Sequence, residues 1–122
     1  MKNRLALAAF AALTALPAAA QDISAEIAAN GLTATEARLS ALPAPAPAER
    51  FALGGVRFLK AIEGTYQLRY RSGLQDPTGM IPLLRLDQGV APDAVFAPED
   101  VARLFREASD GLEAARAPLD GL

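Results

Sequence analysis

Neither cysteine nor histidine occurs anywhere in this chain of 122 residues. Without them no Ser-His-Asp triad, no Cys-His pair and no imidazole or thiolate ligand for zinc or copper can be assembled. No disulfide can form, so stability rests on packing. Basic residues are in slight deficit, 12 Lys and Arg against 14 Asp and Glu, with the signs interspersed along the chain. That balance argues against nucleic acid, or an anionic membrane surface, as the main partner. Carboxylates, hydroxyls, arginines and Lys60 are what remain for chemistry.

Long apolar runs are also scarce. The longest, Leu5 to Leu16, has twelve residues broken only by Thr14, whereas crossing a bilayer takes about 20. Lys2 and Arg4 precede the run, and Pro17 leads from it into Ala18-Ala19-Ala20. A basic start, a short apolar stretch and a small-residue site make up a secretory signal. Residues 1–20 are therefore read as a cleaved signal peptide, cut between Ala20 and Gln21, with a periplasmic or secreted product. No cysteine follows for lipid attachment and no Arg pair marks the twin-arginine route, so no stable membrane anchor is expected after cleavage. Loss of Lys2 and Arg4 moves the formal charge from −2 to −4. Residues 21–122 are enough for a single domain burying about two thirds of its unfolded surface.

Asp22 to Leu42 is Ala-rich and predicts helix, interrupted at Asn30-Gly31, so two short helices are expected rather than one. Thr33 can cap the second, with Glu36 completing a capping box. Ile23, Ile27, Leu32, Leu39 and Leu42 supply the buried side. Pro43-Ala44-Pro45-Ala46-Pro47 makes a stiff connector, and Pro47 suits the first turn of the helix that follows.

The segment from Ala48 to Ser72 carries the strongest helical pattern. At about 100° per residue, Phe51, Gly55, Phe58, Leu59, Ile62 and Tyr66 share one face, which predicts core, with Gly55 admitting close approach of another helix. Leu53 and Leu68 fall on the opposite, polar side and point to a second packed surface, met by a partner chain or by another part of a longer protein. Gly73 is expected to end the helix.

Leu74 to Ala97 contains Pro77, Pro82, Pro92, Gly79 and Gly89, which exclude a continuous helix. It is too apolar for a solvated linker, so an ordered Pro/Gly-rich loop is expected, with an extended piece at Met80 to Leu86. A last helix should run from near Pro98 to about Ala117, burying Val101, Leu104, Phe105, Ala108, Leu112 and Ala115. The closing Leu119-Asp120-Gly121-Leu122 reads as a turn, which fits the N-terminal module of a longer protein.

The chemistry-bearing candidates lie on the long helix. Glu63 is expected beside the core face, where partial burial would suit a general acid. Tyr66, Arg69 and Tyr70 cluster near it, and a guanidinium among rings can receive an anionic or aromatic ligand. One carboxylate makes no catalytic pair. Asp87, Asp93, Glu99 and Asp100 lack the alternating oxygens and central Gly of a calcium loop, and no Gly-rich phosphate loop occurs, so neither metal nor cofactor is expected. Leu53-Gly54 has Arg50 and Arg57 where a tetratricopeptide repeat carries aromatics.

The sequence thus predicts a mainly α protein, a small helical bundle or stacked helical hairpins under a long ordered loop, preceded by a cleaved signal. The function it supports is a non-enzymatic interaction or accessory module. The alternative is a small-ligand binder or hydrolase using Glu63, Tyr66, Arg69 and Tyr70.

Overall fold

A computed structural model of the protein describes residues 3–75, 80 and 89–122, with side chains from Asp22 onward. The described residues form three helices and no strand: α1 (Asn3–Ser40), α2 (Pro47–Ser72) and α3 (Glu99–Arg116), with a 3₁₀ turn at Ala117–Leu119. The chain is mainly helical. Among the described residues no helix is long and apolar enough to cross a membrane. Of the extended piece expected at Met80 to Leu86, all but the exposed Met80 lies outside the described residues.

The chain divides into two compact units, one of Met1–Val56 with Ala115–Leu122 and one of Arg57–Ala114. In the first, α1 is broken at Gly31, whose φ of 80° and ψ of 169° no neighbouring helical residue shares. A side chain would be strained there, and glycine is not. The expected pair of helices is thus two segments meeting at this kink. Thr35, fully buried, donates its hydroxyl to the Gly31 carbonyl at 2.9 Å. Ile23, Ile27, Leu32 and Leu42 pack against a buried cluster of Leu39, Leu53 and Val56.

Arg38 spans the kink to Glu26 with a bidentate pair, its Nε 2.6 Å from Oε1 and its Nη2 2.5 Å from Oε2. The hydrogen bond from Arg38 holds the Glu26 carboxyl below its ordinary pKa, and the Glu26 carboxylate raises that of the guanidinium. A lowered acid pKa stabilises the fold at neutral pH, and that contribution fades as pH falls from the ordinary glutamate range through the lowered value. Glu26→Gln is therefore expected to flatten the acid limb of stability against pH, while both proteins converge in strong acid. Thermal melts from neutral to acidic pH check this, and parallel curves would contradict it.

The C-terminal turn of the same unit is held by Arg50, whose Nε donates to the Pro118 carbonyl at 2.9 Å and whose Nη2 donates to the Asp120 carbonyl. Gly54 allows this approach. A Cβ there would stand 2.9 Å from the Ala115 carbonyl oxygen and 2.9 Å from a Leu119 methyl. The close contact was expected at Gly55, but Gly55 is exposed with nothing near it.

In the second unit Leu68, Leu74 and Leu104 form the buried cluster, with Val101 packed against it. Gly73 ends α2 at φ 69°, and the Ala91 N–H donates to the Tyr70 carbonyl at 2.9 Å, tying the following segment to the helix end. At the start of α2, Glu49 accepts from the Ala46 N–H at 2.7 Å, satisfying a donor that the helix leaves open.

The side of α2 expected as core is largely outside. Phe51 is 68% exposed, Phe58 47% and Leu59 45%, and α3 shows the same departure at Phe105, 48%, and Leu112, 45%. The buried positions of α2 are Leu53, Gly54, Val56, Thr65, Leu68, Arg69 and Ser72. The reason is steric. Where α2 meets α3 at Ala61 and Gly111 the approach is set by small residues, and bulky rings cannot enter so close a seam. A Cβ on Gly111 would lie 2.7 Å from the Cβ of Ala61, well inside contact distance.

Candidate functional site

Within Arg57–Ala114, three contacts set α2 and α3 antiparallel. Arg57 donates from Nη1 to the Ala114 carbonyl at 3.2 Å, Ala61 abuts Gly111, and Leu68 joins Leu104 in the buried cluster. As the residue number rises on one helix, it falls on the other. With about 100° between successive residues, the pair then has two distinguishable sides.

One side is charged. Leu68, Arg71, Ser72, Val95, Asp100, Arg103 and Glu107 line an open cleft of about 370 Å³. Asp100 is only 7% exposed and both its oxygens are engaged. Oδ1 pairs with Arg103, and Oδ2 accepts the Ala97 N–H at 3.3 Å. That carboxylate clasps the start of α3 and favours its positive dipole end.

The other side is apolar. Moving around α2 from Ala61 away from the cleft brings Phe58, Ile62 and Tyr66 into line, and the same rotation on α3 brings Phe105 and Leu112 beside them. Phe58, Phe105 and Leu112 are close to half exposed, whereas Ile62 and Tyr66 are partly covered. Phe51, Phe58, Phe96 and Phe105 are all exposed, so no phenylalanine whose side chain is described enters a core. Phenylalanine is ordinarily among the most buried residue types, which makes this placement informative.

The four residues singled out as ligand candidates sit in different surroundings. Glu63, expected half-buried, is exposed, and its Oε1 accepts from Gln67 Nε2 at 3.2 Å. Tyr66 is partly buried and Tyr70 is 46% exposed. Arg69, expected on the same face as Phe51 and Ile62, is 5% exposed. None of the four lines the charged cleft. Among the described residues no three acidic side chains gather as a metal would require.

The exposed apolar surface that sequence reading missed is the joint face of Phe58, Ile62, Tyr66, Phe105 and Leu112. Its signal was present in the small residues Ala61, Thr65 and Gly111, which mark where helices touch and so which sides remain free. No protein family, no characterised protein and no solved structure matches this chain.

Proposed function

We propose that the chain is an exported, non-enzymatic interaction module, directed to the periplasm or the exterior by residues 1–20. Its helices would form a small bundle. The observation that carries this reading is the solvent-facing side of α2 and α3, where Phe58, Phe105 and Leu112 are each close to half exposed. Large rings in water cost free energy that only burial against something else recovers, at about 25 cal/mol per Å². Apolar patches of this kind mark contact sites when their rims are polar, and Glu63 with Gln67 on one edge supplies such a rim.

Two measurements test it. Mass spectrometry of the product from expressing cells is expected to show an N-terminus at Gln21, and an intact Met1 in the exported fraction would contradict export by cleavage. The Phe58→Ser and Phe105→Ser variants are expected to keep their unfolding free energy within about 0.5 kcal/mol in dilute solution, as surface changes do. A core role for these rings would instead cost about 3–5 kcal/mol on truncation, which a denaturant titration resolves.

A further inference from the structure

We infer that the apolar side of the α2–α3 pair is covered by the same side of a second copy of this chain, an assignment that rests on the interaction reading above. The pair presents two rows of large side chains, Phe58, Ile62 and Tyr66 on α2 and Phe105 and Leu112 on α3, and Arg69, which the helical spacing places on the same side, is only 5% exposed. A two-helix layer buries one side of each helix and leaves the other in water. Two such layers placed face to face give a four-helix arrangement in which each copy supplies the same surface.

The area fits. Buried aromatic side chains each remove 150–250 Å² from water, and here three large side chains are about half exposed and two more partly so, giving roughly 300–400 Å² of apolar surface per copy. Doubled by symmetry, that meets the apolar share of an interface at the lower end of the range for stable dimers, about 1,200 Å² in total and somewhat over half apolar. A self-matching contact also explains why the two sides of the pair differ so sharply. Arg57, Arg71, Arg103 and Glu107 are confined to the opposite side, where they would face water in the dimer. Like charges brought into a two-fold contact would oppose each other, and Arg69, on the apolar side by its helical spacing, is buried rather than presented at the surface.

The full chain is expressed with residues 1–20 in place, and the soluble product is studied by sedimentation equilibrium from low micromolar concentration upward. The expected result is a mass twice that of the monomer measured under denaturing conditions. Phe58→Ser with Phe105→Ser should weaken association at least a hundredfold with helicity unchanged. Arg71→Ser with Glu107→Ser, on the opposite side, should leave it intact. A monomer at every concentration overturns the proposal, as does a dimer that survives loss of both rings. If the wild type is monomeric and the ring variants keep their stability, self-association fails while the interaction reading stands. If the ring variants unfold, the rings are core and both readings fall.

Discussion

Replacing Leu104 with alanine is expected to lower the unfolding free energy by about 2–5 kcal/mol. Leu104 is fully buried and belongs to the cluster of Leu68, Leu74 and Leu104, with Val101 packed against it. Removing its isobutyl group leaves a void bounded by two helices whose separation is already fixed by small side chains, so little collapse can refill it. A domain of this size has a margin of roughly 5–15 kcal/mol, and the loss is a large part of that. Urea titration followed by circular dichroism measures it. Phe96→Ala is the matching control. Phe96 is half exposed, and its truncation should cost less than about 1 kcal/mol.

The second large effect is at Gly111. In an isolated helix, alanine in place of glycine gains about 1 kcal/mol. Here the new methyl would stand 2.7 Å from the Ala61 Cβ and 3.3 Å from its Cα, and neither atom can rotate away. Relief requires the helices to part, and overpacking of this kind costs about 1–3 kcal/mol. Gly111→Ala is therefore expected to destabilise despite its better propensity, and Gly111→Leu to destabilise by more. Gly64 provides the contrast. Nothing lies within 4 Å of a Cβ built there, so Gly64→Ala should stabilise by about 0.5–1 kcal/mol. Equal gains from both substitutions would show that α2 and α3 do not touch at Gly111.

The helices themselves were legible because their ends are chemically marked. Pro47 and Glu49 open α2, Gly73 closes it, and Glu99 and Asp100 open α3. The buried side of the N-terminal segments was legible too, since Ile23, Ile27, Leu32, Leu39 and Leu42 all join one cluster. What misled was weighting faces by hydrophobic bulk. On α2 the bulkier face holds Phe51, Phe58, Leu59 and Ile62, yet the packed face holds Leu53, Gly54, Val56, Thr65 and Leu68. A periodic pattern reports how apolar a face is, not how closely a neighbour approaches, and the approach is decided by small residues on two helices far apart in sequence. The candidate site suffered from the same inversion. Glu63 was placed beside the wrong core face and is exposed, whereas Arg69, read on the face of Phe51 and Ile62, is buried.

Because the chain has no cysteine, a single introduced thiol reports on one position without background. The most direct measurement compares maleimide labelling of the Val56→Cys and Phe51→Cys variants under native conditions. Val56 is 1% exposed and Phe51 is 68% exposed, five residues apart on the same helix. The thiol at position 51 is expected to react at the rate of an unfolded peptide, and that at position 56 to be protected by orders of magnitude, reacting only through opening of the fold. Protection at 51 with free reaction at 56 would put the aromatic side of α2 inside, and would contradict the account of this protein as a helical scaffold that presents its largest apolar groups to a partner.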